Sequence, residues 1–320
     1  AAQVQNNVIS DQLSDLTTPT EINGYTKQTD SNGSISWKNT SGQTANGWQN
    51  NQNDWYYFNN GQSTTNWQRV DNNWYYMSPQ DSRMETGLQP INGATYYLNT
   101  QHDGTYGAMK TGWQTINNNW YYFANNGAAK TGWQHLDNNW FYFDPTTSIM
   151  ETGLRQVNNH GYYFGEQHDG TYGAMKSGWQ LINGHWYGFG GPDDGAAYTG
   201  WKWYRGYWYF FNQENAWMST GWTTNRDNNE LYYLDAAGYP VAGWQMSNDH
   251  TWYYFQPGSY AAATGWQWLN GHWYYFNEGY PSLDTQGKKV GQPHGAMMTG
   301  WQNINGKSYY FYSNGYWSGY

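Results

Sequence analysis

Thr111-Gly112-Trp113-Gln114-Thr115-Ile116-Asn117-Asn118-Asn119-Trp120-Tyr121-Tyr122-Phe123 reads as two short strands around a polar turn. The second strand is an aromatic run, which suits a pleated, half-buried surface. Asn117-Asn118-Asn119 supplies the turn, because Asn tolerates the left-handed conformation that a two-residue hairpin requires. Asn183-Gly184, Asn270-Gly271 and Asn305-Gly306 carry the same signal elsewhere in the chain. Strand alternation puts Trp120 and Tyr122 on one face and Tyr121 and Phe123 on the other.

The unit repeats. The Trp after Gly, or its substitute, falls at Trp48, Trp67, Leu88, Trp113, Trp133, Leu154, Trp179, Trp201, Trp222, Trp244, Trp266 and Trp301. A short, nearly fixed period marks a stacked architecture in which each unit buries its face on its neighbours. The expected fold is therefore all-β, a solenoid of stacked β-hairpin repeats from residue 37 to residue 320. Arg83-Met84-Glu85-Thr86-Gly87-Leu88 returns as Ile149-Met150-Glu151-Thr152-Gly153-Leu154, and Gln101 to Lys110 returns unchanged as Gln167 to Lys176. This longer period of three hairpins predicts about three hairpins per superhelical turn, if it is geometric rather than a trace of duplication. Residues 1–36 are polar, hold no Trp, and read as a spacer or irregular lead-in, with a poor first hairpin around Ile35-Ser36-Trp37. Longer loops at Asn99 to Met109, Gly165 to Met175 and Asn277 to Met298 are the places for local elaboration.

Composition narrows the function. Of 320 residues, 38% are hydrophobic, 21% are aromatic and 12% are charged, so 23 Trp and 33 Tyr must do the burying. Each such ring can bury roughly 150–250 Å² while keeping a polar tip wet. A net charge of −9 argues against nucleic acid and anionic lipid and permits a neutral polysaccharide or a cationic group. With no Cys there is no disulfide framework, and no apolar run is long enough to insert into a membrane. The start at Ala1-Ala2-Gln3 fits a mature secreted protein or an excised fragment.

Gly-Trp-Gln, then Trp-Tyr-Tyr-Phe, then Gly-Ala-Met-Lys-Thr before the next Gly-Trp, resembles the cell-wall-binding repeats of Gram-positive surface proteins. Two branches are relevant: choline-binding repeats, and the glucan-binding repeats appended to glucansucrases. The resemblance covers roughly Trp37 to Tyr320. It implies a hairpin solenoid with ligand pockets between successive hairpins, at the cell surface and associated with the cell wall.

For the choline branch the resemblance implies walls made by the two Trp of one hairpin and a Tyr of the next, a cation–π cage for a quaternary ammonium. Trp113, Trp120 and Tyr142 fit, as do Trp133, Trp140 and Tyr163; Trp48, Trp55 and Tyr76; Trp201, Trp208 and Tyr233; and Trp244, Trp252 and Tyr275. Trp179 and Trp186 would take Phe210. The pattern fails at Leu88 with Thr95 and at Leu154 with Gly161, and weakens where Leu231 replaces the second Trp after Trp222. For the glucan branch the resemblance implies an aromatic platform with Gln, Lys and Thr. Gln114, Gln134, Gln180 and Gln245 follow the Gly-Trp, Lys130 precedes one, and Tyr122 adds a ring. An amide both donates to and accepts from sugar hydroxyls, whereas choline methyls accept nothing. This favours an α-glucan such as dextran, with a choline-bearing cell-wall polymer as the alternative partner.

No catalytic constellation stands out. His102-Asp103 and His168-Asp169 lie in Gly-rich loops without a third ligand and read as turns, and Asp193-Asp194 follows Gly190-Gly191-Pro192 in another loop. The chain is expected to be a non-catalytic, multivalent binding module that needs no metal or cofactor.

Overall fold

The computed structural model describes residues 19–320. Every regular element among them is a strand, and nearly all strands pair antiparallel with a chain neighbour. The quoted stretch forms strands Gly112–Ile116 and Asn119–Phe123, in register Gly112↔Phe123, Trp113↔Tyr122, Gln114↔Tyr121, Thr115↔Trp120 and Ile116↔Asn119. Asn117 and Asn118 have φ of 51° and 66°. Two consecutive left-handed residues define the turn whose twist matches a right-handed strand pair. Asp137-Asn138, Asn158-Asn159 and Asn183-Gly184 turn in the same way.

Gly112 opens its strand at φ +73°. The one hairpin that begins with Asn instead, at Asn66, keeps φ 64°. Asn is the residue after Gly that best tolerates this region, so the backbone requirement outlives the change of residue.

Contacts divide the chain into two units. One holds the described residues to Gly153 together with Phe164–Met175, and the other holds Leu154–Tyr163 with Lys176–Tyr320. The first unit begins with a meander, Glu21–Ile22, Tyr25–Thr29 and Ile35–Lys38, ahead of the first full hairpin, Gly47–Asn51 with Asp54–Asn59. Residues 1–18 of the expected lead-in lie outside the described residues, while much of 19–36 is in this sheet. Ile22 and Trp37 are buried with Ala45, Tyr56 and Phe58. The second unit carries an added strand, Asp194–Ala197, on the hairpin of Gly178–Ile182 and His185–Gly191, and a small hairpin, Ser282–Leu283 with Lys289–Val290, inside its longest loop.

Within each unit the same tie joins consecutive hairpins. After each hairpin the chain runs back beside the last strand, as Phe143↔Met150 shows. From that return segment one N–H reaches the carbonyl of the preceding hairpin's second aromatic position. Met150 N–H donates to Trp120 O at 2.9 Å, Met84 to Trp55 at 2.9 Å, Met218 to Trp186 at 2.6 Å and Met297 to Trp252 at 2.9 Å. Pro240 holds the equivalent place after the hairpin of residues 221–234 and has no N–H to give. The methionines also seat on glycines one loop further on. A Cβ on Gly107 would overlap Met84, and one on Gly127 would overlap Met109. The core is thus a row of small clusters, such as Phe141, Phe143, Met150 and Ala174, rather than one centre.

Candidate functional site

Register assigns the two faces of each hairpin. Trp113, Thr115, Trp120 and Tyr122 share one face, and Gln114, Tyr121 and Phe123 share the other. The second face is sealed, since Tyr121 and Phe123 are buried. The first stays partly open.

On the open face the two indoles stand edge to face. Trp113 and Trp120 are 6.1 Å apart at 74°, Trp133 and Trp140 6.4 Å at 81°, and Trp179 and Trp186 6.3 Å at 79°. Trp201 with Trp208 and Trp244 with Trp252 repeat this at 6.4 Å and 6.2 Å. The second indole keeps an accessible surface: Trp186 and Trp208 are each 44% exposed and Trp252 is 40% exposed. These rings are therefore not consumed by the stack.

The third wall is not the residue expected. Trp113 meets Phe141 at 4.9 Å, Trp48 meets Tyr75 at 4.8 Å, Trp201 meets Tyr232 at 4.9 Å and Trp244 meets Tyr274 at 5.1 Å. Trp179 meets Tyr209 at 4.9 Å rather than Phe210. Each is one position before the ring named from the sequence. Tyr142, Tyr76, Tyr233, Tyr275 and Phe210 instead lie across from the first Trp of their own hairpins, at 5.1–5.3 Å. The cause is the pleat: an open face packs on the sealed face of the next hairpin, so the partner comes from the alternate residues. Trp133 takes Phe164 at 5.6 Å, and Tyr163 stacks on Phe189 at 6.3 Å in the second unit.

The glutamines also depart from expectation. Gln114 Nε2 donates to Thr111 O at 3.0 Å, Gln134 to Thr131 O at 2.9 Å and Gln180 to Ser177 O at 2.9 Å. Gln68, Gln89, Gln267 and Gln302 do the same three residues back. Gln245 lies opposite Tyr253, so it too sits on the sealed face. Recurrence of Gln reflects the chain's entry into each hairpin, where a backbone carbonyl needs a donor. Lys130 contributes its N–H to Tyr122 O at 2.8 Å as part of the return segment.

One wall was not legible at all. Tyr172, in the loop after the hairpin of residues 153–164, lies 6.3 Å from Trp120, two hairpins back. It stacks on His168 at 3.9 Å. Asp169 closes that loop by accepting from Thr171 N–H at 2.9 Å and Thr171 Oγ1 at 2.5 Å. The duplicate loop pairs His102 with Tyr106 and closes on Asp103 in the same manner, so both His-Asp sequences are turn formers. The Thr105 hydroxyl and N–H hold the Asp103 carboxyl below its usual range. Among the described residues no group of three or more His, Cys, Asp or Glu is placed to hold a metal ion, and no helix is long and apolar enough to cross a membrane.

The phenols of the cages are uncharged, while carboxylates lie beside two of the cages: Asp137 accepts from Trp113 Nε1 at 3.1 Å and Glu230 accepts from the Tyr232 hydroxyl at 2.9 Å. Burial pushes the Tyr209 and Tyr274 hydroxyls up to about 12, so both stay protonated at neutral pH. Attraction for a cation then comes from ring faces and from such neighbouring carboxylates rather than from phenolate charge. Two edge-on indoles and a third ring from the next hairpin can wrap a compact, weakly hydrated cation.

This is a β-hairpin solenoid of aromatic-cage repeats. Residues 110–150 match the choline-binding repeat model, and residues 65–80, 177–187, 264–279 and 299–316 match the putative cell wall binding repeat. These segments are repeats of the choline-binding, cell-wall-binding type that the sequence resembles, and repeats of this type imply association with the cell surface. CbpJ from Streptococcus pneumoniae TIGR4 is similar over 85% of this chain and 100% of its own, at 25% identity and TM-score 0.59. CbpF, solved in complex with ipratropium, is similar over 86% of this chain and 99% of its own, at 26% identity and TM-score 0.54. No curated protein matches the chain.

Proposed function

We propose that this chain is a non-catalytic, multivalent module of a secreted protein that holds it to choline-bearing polymer of the cell wall. The observation that carries the reading is the recurring cage, a perpendicular Trp pair closed by a ring from the next hairpin, as in Trp113, Trp120 and Phe141. Such a cage suits a quaternary ammonium at about 0.5–2 kcal/mol per ring face. Many weak sites on one polymer then give firm attachment through effective concentration. A net charge of −9 favours a cationic ligand over an anionic one. The similarity to CbpJ and CbpF supports the same reading.

Attachment to an α-glucan is the rival that the glutamines favoured. With Gln114 and its counterparts bonded to backbone carbonyls on the sealed face, that support moves to the fold. Retention on a choline-like amine resin and on a dextran resin separates the two. Release by free choline, with no retention on dextran, is expected. Retention on dextran alone would overturn the choline reading.

A further inference from the structure

The hairpin of Gly221–Asn225 and Glu230–Leu234 breaks the cage pattern. Trp222 still meets the next hairpin's Tyr253 at 4.9 Å, but Leu231 stands where the second Trp would be. Leu231 lines a cavity of ≈ 540 Å³. It falls within the about 300–1,000 Å³ typical of small-molecule sites and is far larger than a trimethylammonium head needs.

Its lining has a different chemistry from the cages. Trp222, Tyr253 and Tyr280 supply rings, and Asn229, Asn248 and Asp249 supply amide and carboxylate groups, with Thr224 and Ser247 adding hydroxyls. Tyr280 comes from the long loop two hairpins on. It is held by its hydroxyl, which donates to Asn229 O at 3.4 Å, and by a parallel stack on His294 at 4.1 Å and 5°. His294 is itself fixed by Nδ1, which lies 3.1 Å from Glu278 O. Asp249 is set by the hydroxyl of Ser247, which donates to it, and Ser247 N–H donates to Thr251 O at 2.9 Å across the same turn. The ring platform and the polar rim are therefore built before any ligand arrives.

We infer that this cavity binds a neutral saccharide of about two pyranose rings, stacked on Trp222 and Tyr280 and hydrogen-bonded through its hydroxyls to Asn229, Asn248 and Asp249. Choline leaves the amides of such a rim unused, because its methyl groups make no hydrogen bond with them. A sugar uses both surfaces at once. The site would let a module clasped to choline also hold the glycan of the polymer or of the wall beside it. The inference does not depend on the choline reading, since it draws on residues outside the Trp–Trp cages.

Calorimetric titration of the whole chain in saturating choline, with isomaltose, cellobiose and diacetylchitobiose as probes, tests it. One saturable site for at least one disaccharide is expected. Asp249→Asn and Tyr280→Ala should each weaken it about tenfold, while the choline titration of both variants stays as in the parent, which shows that they fold. The absence of saturable heat with all three sugars would overturn the inference. So would parental sugar affinity in either variant, or loss of sugar binding as choline is added.

Discussion

Replacing Gln68, Gln89, Gln114 and Gln134 together by Met removes four donors and keeps chain length and most apolar contact. Each Nε2 lies 2.8–3.0 Å from the carbonyl three residues back, and each serves a separate hairpin of the first unit. A neutral hydrogen bond contributes about 0.5–1.5 kcal/mol net, and partly exposed bonds belong at the lower end. The four share no partner, so their costs add to about 2 kcal/mol. For a unit of this size that is a midpoint lowered by about 4–8 °C. Scanning calorimetry reads the shift, and choline-resin retention in the cold reads function. Lower stability with unchanged retention is expected. An unchanged midpoint with lost retention would refute the structural role given to Gln.

Crystals soaked in choline should show an empty Trp113–Trp120 site in Phe141→Leu and an occupied one in Tyr142→Leu, because Phe141 meets Trp113 at 4.9 Å whereas Tyr142 lies against Trp133. Gly127→Ala should cost about 2–5 kcal/mol, combining a left-handed backbone at φ +84° with overlap on Met109, whereas Gly112→Ala, with open space around it, should cost only about 1–2 kcal/mol; denaturant unfolding compares them. Trp120→Ala should remove one choline site from a calorimetric count and leave the others, since its ring pairs with Trp113 and Tyr172 and packs only on the cluster around Phe141 and Met150 among those described. Burial, followed by the charge of Asp81, raises the Glu85 carboxyl above its usual value. A raised folded pKa means that the protonated form is favoured in the fold, so stability falls as pH rises from the ordinary carboxyl range through the folded pKa. Glu85→Gln should therefore stabilise at pH 8 and have little effect at pH 4, as thermal melts at the two values would show.

The hairpins, their left-handed Asn turns and the leftover indoles were legible because each is encoded within about a dozen consecutive residues. Two errors about the site came from not carrying alternation far enough. Gln114 adjoins Trp113 on one strand, so the pleat already sends it to the opposite face. The same logic makes Phe141, not Tyr142, the ring that faces back towards Trp113. Tyr172 was beyond reach for a different reason: its position over Trp120 depends on how two intervening hairpins wind, and no local pattern records that. Ile22 and Trp37 were hidden likewise, since the rings that bury them, Tyr56 and Phe58, come from the following repeat.

Except where Pro240 stands, the carbonyl of a second-position Trp is met by a later return segment, and the donor is a backbone N–H rather than a chosen side chain. Joining thus tolerates any residue at the seam except proline, as Pro240 shows. A copy spliced in or dropped out leaves every remaining junction intact, so such a chain can evolve its reach by counting units, with grip on a surface rising as copies accumulate.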